Sequence, residues 1–270
     1  MMNAAEMIFD TPMSARGRRY FEALHAAAPG WVYKQSQYSG KYRIIILYGA
    51  GHPSRSRYME QHLAQGGRAI VFDLAYFDRY DSLRLSLDGL HPTAEHLKLS
   101  DDRPPRREFT LRHDRDINGH VVLVGLGRKS VSGLDLQVHE WEKRAYEKAR
   151  EIFPKARFVW RPKKGDTLDF GGMPAITSET PIANVLRGAR AVVCRHSNVA
   201  VDACLAGVSV LCEGGAAYAL YRDNPNPDTE QRRQFLNRLS WWEWSIHDAR
   251  DLWVWIQYIL RATHARQHEN

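Results

Sequence analysis

The chain has 270 residues, of which 44% are hydrophobic and 26% charged, with a formal net charge of +7 and a pI near 9.4. This is an ordinary globular composition that excludes fibrous and disordered classes and fits one large domain or two modest ones. No run approaches the roughly 18 uninterrupted apolar residues of a membrane span. Residues 1–10 carry two acids and no base ahead of an apolar core, unlike a secretory leader, so a cytoplasmic protein with no membrane partner is expected.

The first clear element is a β-branched run at 43–48, closed by Gly49-Ala50-Gly51. A strand without polar alternation is buried on both faces, as parallel strands are. Helical spacing follows over 56–65 and stops at Gly66-Gly67. A second strand, 69–72, ends in Asp73, completing a βαβ unit. From 100 to 118 the chain is highly charged and broken by Pro104-Pro105, the composition of an inter-domain connection or an exposed excursion.

A second series opens at His120 with a strand over 121–124, a loop over 125–130 and a helix over 136–153. A strand at 158–160 runs into the basic turn 161–165. Thr180-Pro181 opens a short helix to Leu186, and 191–194 is again a strand. Ser197 or Asn198 caps a helix over 199–206 that ends at Gly207, and the strand 208–212 leads into Gly214-Gly215. The tail has an amphipathic basic stretch at 231–239 and a capping-box pattern at 245–248. Five tryptophans crowd it, which calls for a packing or a binding role. The prediction is an α/β chain of two Rossmann-like, doubly wound domains facing a cleft, 1–118 and 119–230, with C-terminal helices over 231–270 packing across both.

Ligands of open α/β sheets bind beyond the carboxyl ends of the strands. In the first domain those positions hold Gly49, Gly51, His52, Asp73 and Tyr76; in the second, Gly127, Arg128, Lys129, Ser130, Arg161, Lys163, Lys164, Arg195, His196, Ser197, Asn198, Gly214 and Gly215. Cations, glycine turns and helix N-termini together suit a diphosphate. Taken singly, 161–164 also reads as a solvated turn, and 195–198 as a helix cap with an exposed arginine. The loop at Gly125 lacks the third glycine of a dinucleotide fingerprint, and there is no P-loop, HExxH pattern or GxSxG elbow. No metal site is expected. Cys194, Cys204 and Cys212 lie in apolar segments and read as buried free thiols.

Residues 191–219, with Arg195-His196-Ser197-Asn198, Val201-Asp202-Ala203, Ala206-Gly207-Val208 and Gly214-Gly215-Ala216, resemble the donor-site region of GT-B glycosyltransferases. They look most similar to capsular-polysaccharide transferases and to bacteriophage enzymes that glycosylate DNA bases. The closing Arg232-Arg233-Gln234-Phe235-Leu236 and Trp241-Trp242-Glu243-Trp244 are similar to the tails of such phage proteins. The likeness covers the C-terminal half and is only topological before it. It implies Asp202 near the donor ribose and Arg195, Ser197 and Asn198 near the phosphates, with basic groups and helix dipoles in place of a metal. The acceptor hydroxyl then needs a base from the first domain: Asp73 first, with Asp88 and His91 behind it.

These features imply an enzyme that uses a nucleotide-sugar, of UDP type, as co-substrate and holds no permanent cofactor. The basic pI, the arginines between Arg103 and Arg115 and the arginine- and tryptophan-rich tail suggest DNA as the acceptor, through a 5-hydroxymethylpyrimidine. The alternatives are a capsular polysaccharide-type transferase and a non-catalytic nucleotide-sugar or DNA-binding module.

Overall fold

The computed structural model describes residues 4–10, 13–127, 136–163, 165–166, 170 and 172–267, and the chain divides into two compact units. Met1–Pro104 and Arg238–Asn270 form unit 1, and Pro105–Asn237 forms unit 2.

Unit 1 opens with β1 (Ala5–Ile8), α1 (Ala15–Ala26), β2 (Val32–Gln35), β3 (Ile44–Tyr48), α2 (Pro53–Ala64), β4 (Arg68–Leu74), β5 (Ser82–Leu87) and the short α3 (Ala94–Leu97). β1 pairs in parallel with both β2 and β3, and β3 in parallel with β4, while β5 adds antiparallel to β4. The β-branched run at β3 is buried along its whole length, as its unalternating sequence requires. Its side chains divide between two faces. Ile45 and Leu47 pack with Met59 of α2 and Val71 of β4. On the other face Phe21 of α1 stands edge-on to Tyr48 and Phe72, with centroids 5.7 and 6.1 Å apart. Gly17 makes that approach possible, since a Cβ there would lie 2.4 Å from the Tyr48 ring.

Unit 2 holds β6 (His120–Val124), α4 (Glu140–Ile152), β7 (Phe158–Arg161), α5 (Ile182–Leu186), β8 (Ala189–Cys194), α6 (Val199–Ala206), β9 (Ser209–Cys212), α7 (Tyr218–Tyr221) and most of α8 (Thr229–Ser240). Its sheet is wholly parallel in the order β7-β6-β8-β9. Trp141, Ala145 and Ala149 of α4 pack on Val121, Leu123, Phe158 and Trp160. The helix begins at Glu140, four residues later than its spacing suggested, and α5 starts at Ile182 with Pro181 as its N-cap.

The chain then returns to unit 1 through β10 (Glu243–Ser245), a 3₁₀ turn at Ile246–Asp248 and α9 (Ala249–Gln267). β10 joins β5 antiparallel and completes the order β10-β5-β4-β3-β1-β2. Trp242, Trp244, Trp253 and Trp255 are all buried, so four of the tail's five tryptophans belong to the core. Trp253 donates its indole N–H to the Leu24 carbonyl at 2.9 Å. The fold class is therefore mixed α/β with two Rossmann-type units, and the parallel strands of each follow the same order, second-first-third-fourth.

Candidate functional site

A strand order that reverses beside the first strand opens a crevice at the carboxyl ends of the first and third strands. In unit 2 these are β6 and β8. β6 runs into Gly125, where a Cβ would lie 2.6 Å from the Trp160 ring, so only glycine lets the loop leave at this angle. The buried Glu142 accepts the Leu126 N–H at 2.7 Å and fixes the next residue, and Gly127 follows in open space. β8 runs into Arg195. Its Nε lies 3.8 Å from a Glu213 carboxylate oxygen, which in turn accepts the Trp141 indole N–H at 2.8 Å.

Gly215, at a φ of +82°, folds against His196, where a Cβ would lie 3.1 Å from the backbone. Ser197 Oγ accepts the Val199 N–H at 3.3 Å, and Asn198 holds the N-cap position of α6 without a side-chain cap. Asp202 is half-buried in the first turn of that helix. Because β7, β6, β8 and β9 are parallel neighbours, Gly127, Arg161, Lys163, Arg195–Asn198 and Gly214–Gly215 share one sheet edge. Arg161 is engaged there in holding the chain, donating to the carbonyls of Thr177, Ser178 and Thr180 at 3.3, 3.3 and 3.0 Å. Lys163 is exposed. Arg128, Lys129, Ser130 and Lys164 lie outside the described residues. Beneath this edge burial pushes the Cys194 thiol up to about 11, partly offset by a Ser197 backbone hydrogen bond and the Lys163 charge, so it stays neutral. All three cysteines are free thiols, Cys212 half-buried and the others buried.

The corresponding edge of unit 1 carries the first-domain candidates. Gly49 turns the chain after β3 at a φ of +67°, Gly51 follows, and His52 is the N-cap residue of α2, its Nδ1 2.9 Å from Ser54 Oγ. Beside them Arg55 donates to Asp10 at 2.9 Å and to the Tyr48 carbonyl at 2.8 Å, a fully buried ion pair at the β1/β3 reversal.

On the neighbouring β4, Asp73 is bound by Arg84 at 3.0 Å, and that guanidinium lies 5.5 Å from the centre of the Tyr76 ring. The buried Tyr76 hydroxyl lies 3.1 Å from His91 Nδ1. Burial first, then the Asp73 and Glu243 charges, raise the Tyr76 hydroxyl pKa, while Arg84 lowers it. Asp73 and Tyr76 are thus brought together by Arg84, and His91 joins them through the Tyr76 hydroxyl. Asp88 is not: it binds Arg68 at 2.7 Å and caps the Ala69 N–H at 2.8 Å, at the other end of β4.

Sequence reasoning missed two residues here. The buried Glu243 of β10 accepts the N–H groups of Tyr76, Phe77 and Asp78 at 2.6, 2.7 and 2.9 Å. A carboxylate takes successive amides in this way when a loop turns its N–H groups inward. The available signal was an acid between Trp242 and Trp244 in an otherwise apolar stretch. Arg84 sits within the alternating Ser-Leu-Arg-Leu-Ser-Leu of β5, a strand that the search for unalternating runs passed over.

The whole chain is similar in fold to a Kdo transferase. That protein is KpsC of Thermosulfurimonas dismutans, described as a beta Kdo 2,4 transferase, with a TM-score of 0.52 and 14% identity over 96% of this chain and 99% of that one. A beta Kdo 2,7 transferase of the same name and organism gives 0.48 and 13% over 92% and 99%. At such identity the first likeness is one of fold. No protein-family model matches the chain, and no curated protein sequence matches it. Among the described residues no helix is long and apolar enough to cross a membrane, and no group of three or more His, Cys, Asp or Glu side chains is placed to hold a metal ion.

Proposed function

We propose that the chain is a sugar transferase that binds the nucleotide part of an activated sugar at the carboxyl edge of the unit 2 sheet. The observation that carries this is the strand reversal between β6 and β8, where the Gly125–Gly127 turn, the Glu213-oriented Arg195 and the start of α6 meet. Loss of a nucleoside diphosphate builds charge on the leaving phosphate, and preorganised N–H groups, a helix dipole and a guanidinium stabilise it. Arg195, Ser197 and Asn198 are assigned to the phosphates, Asp202 to the ribose, and Lys163 to outer electrostatic support. No metal is required by this scheme. On the acceptor side Asp73 is proposed as the base that takes the hydroxyl proton, with the Tyr76–His91 pair beside it. The fold likeness to a Kdo transferase over nearly the whole chain supports the transferase class.

Several of the residues that pointed to a DNA acceptor are engaged elsewhere. Arg103 is enclosed by Trp241, Trp255 and Tyr258 at 5.0, 5.0 and 4.5 Å from their ring centres. Arg238 binds Asp101 at 3.0 Å, Arg112 binds Asp114 at 2.9 Å, and Arg222 binds Asp223 at 2.8 Å. With four of the five tail tryptophans buried as well, a base-stacking surface loses most of its aromatic candidates, and we favour a saccharide hydroxyl as acceptor.

The test is calorimetry with UDP, GDP and CMP in excess chelator, followed by a transfer screen pairing UDP-sugars and a Kdo donor with oligosaccharides and with hydroxymethylated DNA. Binding of one nucleotide in chelator, with a sugar-sized mass gain on a saccharide, is expected. A mass gain confined to the DNA would restore the nucleic-acid reading, and absence of nucleotide binding would sink the transferase.

A further inference from the structure

The amino edge of the unit 2 sheet, opposite the proposed donor edge, carries a cavity of about 240 Å³. Gly207, Val208 and Ser209, where β9 begins, form one wall, and Pro225, Asn226, Pro227, Asp228 and Thr229 form another. His113 and Arg115 stand exposed at its rim, and the buried Arg232 lies in its wall. The volume is several times the roughly 30 Å³ share of one water, more than a lone ion fills.

The electrostatics of Arg232 are unusual. Its guanidinium is 3% exposed and donates to the carbonyls of Arg112 at 3.1 Å and Cys204 at 2.9 Å, with Thr229 Oγ1 at 3.5 Å. Among the described residues it has no carboxylate within ion-pair distance. A buried charge bonded only to neutral oxygens keeps an unmet demand for an anion. Asp228 is not within ion-pair distance of the Arg232 guanidinium; its Oδ1 accepts the Gln231 N–H at 2.8 Å. Arg115 also has no ion-pair partner among the described residues, so the cavity places two arginines against one acid. The remaining lining is mixed: Ser209, whose hydroxyl donates to the Asn226 side-chain oxygen, and Thr229 offer polar groups, while Val208, Pro225 and Pro227 offer apolar faces. Hydroxyls beside C–H surfaces are what a sugar ring presents.

We propose that this cavity binds a small anionic sugar, a sugar phosphate or sugar acid, with Arg115 and Arg232 taking the charge and the polar wall taking the hydroxyls. The site is separate from the donor edge, and the inference does not rest on the transferase reading. The experiment is a thermal-shift and calorimetric titration of the full chain with glucose 6-phosphate, glucuronate, inorganic phosphate and neutral glucose. At least one sugar anion is expected to stabilise saturably, at least ten-fold more tightly than phosphate, with no response to glucose. Arg115→Ser is expected to weaken that binding at least five-fold, and saturating UDP to leave it unchanged. Arg232→Met tests the wall cation; should that variant fail to fold, the exposed Arg115 still decides. No saturable response to either sugar anion, phosphate binding as tightly, an unaffected Arg115→Ser variant, or displacement by UDP would each overturn the assignment.

Discussion

Arg195 shows how a single side chain becomes a candidate phosphate ligand. Its backbone carbonyl accepts the Glu213 N–H at 3.1 Å, which holds the residue at the end of β8, while its buried Nε lies 3.8 Å from the same residue's carboxylate without a hydrogen-bond partner among the described residues. Replacing it with Ala is expected to weaken nucleoside diphosphate binding by about 1.5–3 kcal/mol, the range for a charge-assisted hydrogen bond, read by calorimetry. Asp73 is held in a comparable way by Arg84 and by the Leu74 N–H at 2.7 Å. The two partners use different carboxylate oxygens, so Asn at this position keeps an acceptor for one of them, turns its NH2 toward the other, and cannot take a proton. Asp73→Asn should therefore keep the fold and the donor affinity, with some loss of melting temperature, while turnover falls roughly 10²–10⁴-fold. Near-normal turnover in that variant would move the base to His91.

Among the elements, legibility tracked polarity. β3, β4, β6, β7, β8 and β9 showed in the sequence because each contains an apolar run, whereas β1 contains Glu6 and β10 contains Glu243. Both acids are buried, and tertiary donors explain how. Glu6 accepts the Ser39 and Gly40 N–H groups at 3.0 Å each and the Ser39 hydroxyl at 2.7 Å, contacts a local reading cannot supply. The same limit hid Arg84, and with it the cluster that joins Asp73 to Tyr76. The glycine turns and the Arg195–Asn198 stretch were legible because their chemistry is local.

Glu243 makes the strongest demand of this kind on its neighbours. Glu243→Ala leaves the N–H groups of residues 76–78 without their carboxylate, each costing about 1–3 kcal/mol if buried, so a loss of roughly 3 kcal/mol or more is expected in urea unfolding. α3 supplies a pH-dependent term. His96 Nδ1 accepts the Thr93 N–H at 3.3 Å, and its ring stacks on Trp242 at 5.6 Å. Burial pushes its pKa below the ordinary 6.5, opposed by Asp88 and Glu95 and aided by Arg68. Below pH 6.5 the unfolded chain therefore binds the proton more readily than the folded one, and stability falls as the pH falls through that window. Urea midpoints at pH 7.5 and 5.5 should differ, and His96→Gln should shrink the difference.

For the whole molecule the decisive fact is that unit 2 is one continuous stretch and unit 1 is not. A fragment covering residues 105–240 is expected to unfold cooperatively and to bind nucleotide with nearly the affinity of the full chain. A chain ending at residue 240 lacks the buried Trp242, Leu252, Trp253 and Ile256, so its unit 1 should be lost to protease while its unit 2 survives. Circular dichroism and limited proteolysis distinguish these outcomes.

The split of unit 1 also sets an order of events on the ribosome. Domains usually fold as units with the N-terminal one first, as the chain emerges. Here the first 104 residues must wait while all of unit 2 is synthesised and can close, because the strand and helix that complete them lie in residues 238–270. The loop at 76–78 receives its carboxylate only when Glu243 arrives, so the Asp73–Tyr76–His91 cluster is assembled last. Nascent chains stalled before that point should expose the apolar faces of α1 and β3, making them substrates for holdase chaperones, and release of the final segment should end that association.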